Sequence, residues 1–319
     1  MIITLTANPA VDRTIEIDSA IRRGGVYRAL RVGDEAGGKG VNVARAVAHA
    51  GYPAVAVLPA DDEDTLVRGL VDAGVHPVNI PIGYPSRVNI TVTEPDGTTT
   101  KFNDPGKPFP AGVVKSVTYA LVERSVGAQW VVLCGSLPPK VTPSWYAQLT
   151  AILHQEGRLV AVDTSGPPLE ATVSSALNLP DLLKPNSEEL ASLTGADPDE
   201  VEDDPALAAA LAARLVDRGA GGILATLGGK GAVLVTPAGS WLGTPAPIVL
   251  RSTVGAGDAS LAGYLIAATE KLPDEDRLRY AVAYGSAAAA LPGSTMPRAD
   301  DIRLDDVVIE RLTLSPTPQ

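Results

Sequence analysis

In 319 residues there is one cysteine, Cys134, which excludes an internal disulfide and fits a reducing compartment. Aromatic residues make up only 4 % of the chain, with two phenylalanines, and the apolar material is mostly alanine, valine and leucine, interspersed with glycine. No apolar run is long enough to cross a bilayer. The opening stretch MIITLTANPAVD has no basic leader ahead of an apolar segment, so a cytoplasmic location is expected. Basic residues are also scarce: 26 Lys and Arg stand against 37 Asp and Glu, a net charge of −11. That balance argues against nucleic acid or an anionic membrane as partner. If such a chain takes a phosphorylated substrate, local basic residues and backbone amides must hold it.

What is present reads as short β-type runs alternating with helical segments, the pattern of a mostly parallel sheet with helices on both faces. Strands are expected at Ile2–Thr6, Ala54–Leu58, Trp130–Leu133, Leu159–Val162, Leu182–Leu183, Gly222–Thr226, Ala232–Val235 and Trp241–Gly243. Helices are expected over Gly40–Ala50, Thr65–Ala73, Ser144–Gln155, Ser187–Leu193 and Ala206–Arg218. Two places break the alternation. Residues 13–33 carry RTIEID and VYRALRV, and residues 87–103 form a hairpin around Pro95-Asp96-Gly97. These four strands predict a small β-sheet lid, 13–33 with 87–103. The α/β domain takes 1–12, 34–86 and 104–319. The acidic stretch Asp197–Ala206 reads as a surface connection, and the tail LTLSPTPQ as frayed. No internal repeat is evident.

Four motifs carry chemistry. In STVGAGDASLAGYL, Gly255 and Gly257 precede a helix with its bulk on one face, and an amide-rich turn at a helix N-terminus is an anion site. Asp258 in that turn is either the helix cap or a reacting group. In AGGKGVNVARAVAHAG, Gly37, Gly38 and Gly40 allow close backbone approach, to a ligand or merely to packing, and the spacing matches neither a P-loop nor a dinucleotide fingerprint. Upstream, Asp12 is expected at the end of the first strand. In LLKPNSEEL, Asn186 and Glu189 stand three apart, as a capping box or a metal-linked pair. In ATLGGKGAVLV, Gly228 and Gly229 make a tight turn or expose amides to a nucleotide.

The order and spacing of GGKGVNVARA, KPNSEE, TLGGKGA and STVGAGD resemble the ribokinase-like (PfkB) carbohydrate kinases, from Thr4 to about Pro297. LTANPAVD, RVNITV, TTTKFNDPG and GSLPP are most similar to the phosphosugar branch, the bacterial 1-phosphofructokinases above all. The resemblance implies a Rossmann-like ribokinase fold. It implies Asp258 as general base, with Gly255, Ala256 and Gly257 supplying amides to the transferred phosphoryl group. Asp12, Gly38, Lys39 and Asn42 would bind the sugar. Arg28, Arg87 and Ser136, joined by Lys101 and Asn103, would hold its existing phosphate. Lys184, Asn186, Thr226 and Gly228 would hold ATP, and Ser286 would lie beside the adenine. Asn186 and Glu189 would reach Mg²⁺ through water.

The implied reaction is transfer from Mg-ATP to fructose 1-phosphate, giving fructose 1,6-bisphosphate. Kinases of tagatose 6-phosphate or fructose 6-phosphate are the near alternatives, and a non-catalytic sensor on the same fold is the distant one. An exposed lid with one apolar face implies a homodimer through the lid. Ser252 replaces the Asp that ribokinases tend to carry, which leaves K⁺ dependence open. Cys134 is expected to be a buried small residue, and His49, His76 and His154 match no catalytic position.

Overall fold

The computed structural model describes residues 1–175 and 179–313. Fourteen strands occur among them, namely β1 (Ile2–Thr6), β2 (Ala10–Glu16), β3 (Arg31–Gly37), β4 (Ala54–Pro59), β5 (His76–Ile80), β6 (Arg87–Thr93), β7 (Thr99–Phe102), β8 (Trp130–Cys134), β9 (Leu159–Asp163), β10 (Leu182–Leu183), β11 (Ile223–Thr226), β12 (Ala232–Thr236), β13 (Gly239–Pro245) and β14 (Val307–Leu312). Ten of them form one sheet in the order β14-β13-β12-β11-β10-β9-β8-β1-β4-β5. From β5 to β11 every pairing is parallel, and β12, β13 and β14 add antiparallel strands at one edge.

The central strands are buried on both sides, which is why they read as continuous apolar runs. Alternate residues of β8 serve two cores. Trp130, Val132 and Cys134 pack with the helices Lys39–His49, Ala256–Thr269 and Asp274–Ala289 on one face. Val131 and Leu133 pack with Val113–Arg124, Trp145–Gln155 and Pro205–Asp217 on the other. Each fully buried Leu or Val here contributes about 1.5–3 kcal/mol relative to exposure. Cys134 is a buried free thiol, as its sequence context suggests.

The helix Ala256–Thr269 departs from the one-faced expectation. It is buried on every side from Asp258 to Ala267, sandwiched between the sheet and the helix Asp274–Ala289. At Gly263 the two helices touch so closely that a Cβ would come within 2.5 Å of the Tyr280 carbonyl oxygen.

Strands β3-β2-β6-β7 form the separate small sheet. Its turn at Gly97 (φ 89°) closes the hairpin, with Glu94 N–H donating to the Thr98 carbonyl at 2.9 Å. Two expectations need correction here. Asp12 lies inside β2, not at the end of the first strand. The strand expected within 26–32 begins only at Arg31 and runs to Gly37. Its register with β2, from Glu16↔Arg31 to Ala10↔Gly37, leaves residues 26–30 without a strand partner.

The acidic stretch Asp197–Ala206 is likewise more than a surface connection. It holds the helix Pro198–Asp203, whose Glu202 accepts from Ser187 Oγ at 2.9 Å. Strands β5 and β14 and the helix Asp274–Ala289 were not legible from periodicity. The tail expected to fray leaves β14 at Leu312, and from residue 314 onward it lies outside the described residues.

Candidate active site

In an open parallel sheet, ligands settle beyond the carboxyl ends of the strands, where the strand order reverses. Here β4 lies on one side of β1 and β8 on the other. Leaving that edge are Asn8 after β1, Ser136 after β8, Asp163 at the end of β9, Lys184 after β10 and Thr226 at the end of β11.

Asp258 is not the cap of its helix. Gly255 is, in the left-handed region at φ 78°, and Asp258 stands three residues on, in the first turn. A side chain at Gly255 would be strained by that φ, and its Cβ would sit 2.5 Å from Met296 Cε. At Gly257 a Cβ would approach Lys184 Nζ to 3.2 Å, so the bare backbone there lies against a buried ammonium group. The first N–H groups of a helix have no intrahelical acceptors. Gly255, Ala256 and Gly257 thus set helix-start amides beside a cation, the chemistry of an anion cradle.

The Asp258 carboxylate is buried and accepts a hydrogen bond from Asn42 Nδ2 at 2.8 Å. Burial, with Asp163 adding to it, raises its pKa to about 6, against the opposing pull of Lys39, Asn42 and Lys184. Asn42 belongs to the helix Lys39–His49, which starts directly after Gly38. Its Oδ1 is buried without a partner among the described residues.

The residue that organises this centre was missed in the sequence. Asp163, fully buried, accepts from Lys39 Nζ at 2.6 Å through Oδ1 and pairs with Lys184 Nζ at 3.2 Å through Oδ2. Its signal was visible: an acid ending the apolar run LVAVD, on the ligand edge of a parallel sheet. Lys39 Nζ also lies 3.8 Å from Glu189 Oε1. These acids raise the Lys39 pKa even though burial opposes them.

Asn186 and Glu189 form a reciprocal capping box, with Glu189 N–H to Asn186 Oδ1 at 2.7 Å and Asn186 N–H to Glu189 Oε2 at 2.9 Å. No group of three His, Cys, Asp or Glu side chains able to hold a metal exists among the described residues. One carboxylate facing the cleft suits Mg²⁺, which keeps most of its waters and takes its remaining oxygens from phosphates. Thr226 bridges to Asn186 across the strand ends. Gly228 (φ 52°) turns beneath Glu202, and Ser286 is half-buried in the helix Asp274–Ala289 next to Gly285, which packs on Ala256.

On the lid, Asp12 accepts from Asn89 Nδ2 at 2.9 Å, and burial raises its pKa. Cross-strand register puts Asp12, Asn89 and Arg87 on one face, with Lys101 on the same face farther out. Arg87 donates to the Asn8 carbonyl from Nε (3.1 Å) and Nη2 (2.9 Å), and from Nη1 to Asn89 Oδ1 (3.1 Å) and the Asp104 carbonyl. Asn8 in turn donates from Nδ2 to Ser136 Oγ at 3.4 Å. Arg87 and Ser136 are therefore brought together through Asn8, a residue not singled out in the sequence. Arg28, Lys101 and Asn103 are exposed, and Arg28 lies in the loop before β3 rather than on a strand.

The histidines do other work: His49 Nδ1 meets the Met296 carbonyl, His154 pairs with Asp181, and His76 is exposed on β5. No helix among the described residues is long and apolar enough to cross a membrane.

Comparison with known proteins agrees with this fold. Residues 5–300 match the model of the pfkB family carbohydrate kinases. The chain is 34 % identical over 300 residues to a 1-phosphofructokinase of Rhodobacter capsulatus, covering 93 % of this chain and 92 % of that one. It is 32 % identical over 307 residues to the ATP-dependent 6-phosphofructokinase isozyme 2 of Escherichia coli, covering 94 % and 96 %. The crystal structure of phosphofructokinase-2 from Escherichia coli in complex with fructose-6-phosphate superposes with a TM-score of 0.84 at 29 % identity, covering 94 % of this chain and 96 % of that one. That enzyme's complex with potassium gives the same score at 30 % identity and the same coverage. The chain belongs to the pfkB family of carbohydrate kinases, as a sugar-phosphate kinase that transfers a phosphoryl group to a sugar hydroxyl.

Proposed function

We propose that this kinase phosphorylates fructose 1-phosphate at O6, with Mg-ATP as donor, to give fructose 1,6-bisphosphate. The observation that carries the chemistry is the buried Asp258, held by Asn42 at the mouth of the anion cradle. Asp258 takes the proton of the acceptor hydroxyl as that oxygen attacks the γ-phosphorus and the bond from that phosphorus to the β–γ bridging oxygen breaks, releasing ADP. The Gly255–Gly257 amides and Lys184 stabilise the charge on the phosphoryl oxygens, the main demand of phosphoryl transfer. Asp12, Asn42, Gly38 and Lys39 surround the sugar, and Arg87 and Ser136 take its existing phosphate. Lys184, Asn186, Thr226, Gly228 and Ser286 line the nucleotide side. Asn186 and Glu189 would hold Mg²⁺ through water, and the ion would neutralise phosphate charge there.

A second reading rests on the Escherichia coli relative found with fructose-6-phosphate. A ketofuranose carries a CH₂O arm on each side of its ring oxygen, so a flipped 6-phosphate of fructose or tagatose offers O1 to the same base. Few contacts separate the two, each about 1–3 kcal/mol when left unpaired. A coupled ADP-release assay comparing kcat/KM for fructose 1-phosphate, fructose 6-phosphate and tagatose 6-phosphate, with and without K⁺, decides. We expect at least about a hundredfold preference for fructose 1-phosphate, which needs about 3 kcal/mol of discrimination. A 6-phosphate preferred by that margin overturns the assignment and keeps the base.

The proposal includes a cytoplasmic homodimer formed through the lid. The lid face opposite Asp12 carries Val32 and Phe102, 56 % and 58 % exposed, and Val26 and Leu30 in the preceding loop are exposed as well. Val32 and Phe102 lie on the two outer strands β3 and β7, and exposed apolar side chains across one sheet face mark an interface. Light scattering at micromolar concentration is expected to give twice the chain mass, and Phe102→Asp to return it towards one. A wild-type monomer removes the dimer from the proposal.

A further inference from the structure

Asp163 touches neither the proposed sugar contacts nor the phosphate cradle through its backbone, yet its carboxylate is hydrogen-bonded to Lys39 and ion-paired with Lys184. Its main chain is fixed by β8 and β10: its carbonyl accepts from Gly135 N–H at 2.8 Å, and Lys184 N–H donates to the Val162 carbonyl at 3.0 Å. Its carboxylate, shut off from water, has one ammonium group on each oxygen. Lys39 opens the helix that carries Asn42, on the acceptor side, and Lys184 lies against Gly257, on the donor side. Two acids compete for these lysines. Glu189 is already 3.8 Å from Lys39, and Asp258 attracts both ammonium groups.

We propose that Asp163 is a positioning residue: by holding Lys39 on Oδ1 and Lys184 on Oδ2 it keeps both ammonium groups off the base Asp258 and the carboxylate Glu189. This role rests on the kinase reading above. Without Asp163, Lys39 moves towards Glu189 and Lys184 towards Asp258, and the base becomes a weaker proton acceptor. The groups facing Asp258 are Asn42 and Lys39 of one helix, Asp163 at the end of β9 and Lys184 after β10, with the buried Cys134 thiol paired in register with Asp163.

The test is Asp163→Asn, which preserves shape and removes the charge. Turnover is expected to fall at least about a hundredfold, the scale of a misplaced reacting group. The acid limb of kcat/KM should also move about one pH unit lower, as a nearby anion is removed from a carboxyl group. That shift by itself reports only the loss of the neighbouring anion; the positioning role is read from the coupling between Asp163 and Lys39. Lys39→Met, which removes an opposite charge, should move the limb the other way. In the Asp163→Asn background it should cost less than a tenth of what it costs alone, because the lysine is already unheld.

The Asp163→Asn result counts only for a variant that melts cooperatively; where it does not, Asp163→Ser takes its place in the same double-variant comparison with Lys39→Met, whose site is one-third exposed. An unmoved limb, or losses that simply multiply, overturns the proposal. Carbon-13 titration of the Asp258 carboxyl reads the same shifts without turnover. A wild-type protein inactive on every phosphosugar would therefore sink the kinase reading while this proposal is still judged by its own readout.

Discussion

Asp258→Asn is expected to lower turnover by about 10³-fold or more, the upper range for losing a general base, with ATP affinity nearly unchanged. The amide oxygen can accept the same hydrogen bond from Asn42 Nδ2 that Oδ2 accepts now, so the pocket keeps its shape. What it cannot do is take a proton. The substitution also separates the two meanings of an acid in a helix's first turn, because Asn serves as well as Asp in a capping role. Turnover preserved, with affinity lost, would make Asp258 a structural residue. Titration by calorimetry for ATP and a coupled assay for turnover read the two quantities independently.

The pH dependence follows from the same burial. With its pKa raised to about 6, Asp258 is ionised at neutral pH, and kcat/KM should fall about tenfold per unit below that value. The stability consequence has the opposite sign. A carboxyl group whose pKa is higher in the fold than the 3.8 of the free side chain disfavours folding once it must ionise. The cost is absent below that lower value, grows between the two, and is complete above about 6. At about 1.36 kcal/mol per unit it is on the order of 3 kcal/mol. The inactive Asp258→Asn variant should therefore melt no lower than the wild type at pH 7.5. Activity lost without stability lost distinguishes removal of a base from collapse of the pocket.

Asp258 also shows how far the sequence could be read. The glycine turn at a helix start was legible, because Gly255 and Gly257 are local signals. What holds the acid was not, since that depends on Asn42, 216 residues away in the chain. The strands with both faces buried were found to within a residue or two at each end, because a continuous apolar run is also a local signal. β14 was not, because the adjacent charges Glu310 and Arg311 break the apolar run of this edge strand. The lid strand around Arg31 was misplaced by its own alternation, since pairing with β2, not local pattern, sets where it begins. Asp163 escaped for the same reason as the role of Asn42. Its meaning lies in two lysines brought to it by separate crossovers. Single-residue chemistry was legible where a turn or a cap announced it, and pairwise chemistry only where the fold supplied the partner.

Arg87→Ala is expected to raise the KM for the sugar phosphate about a hundredfold while changing that for ATP less than about threefold, because charge-assisted hydrogen bonds contribute about 1.5–3 kcal/mol each. The lid arginine does two things at once. Its guanidinium holds the Asn8 and Asp104 carbonyls and Asn89 Oδ1, tying β6 to the turn after β1 and to the loop after β7. Asn8 carries the same connection to Ser136. Burial lowers the Arg87 pKa against the pull of Asp12 and Asp104, and among the described residues neither carboxylate hydrogen-bonds the guanidinium. On the proposed assignment, removing it deletes one phosphate contact and loosens the loop that brings the second. Arg87→Lys separates these roles: a lysine keeps the charge and cannot span three oxygens with one planar fork. If charge alone holds the sugar phosphate, Lys restores most of the affinity; if the strap sets Asn8 and Ser136, Lys behaves almost as Ala does. The geometry favours the second outcome. Equal rises in the two Michaelis constants for Arg87→Ala would place the arginine outside the acceptor site and move the phosphate to Lys101 and Arg28 on the outer lid.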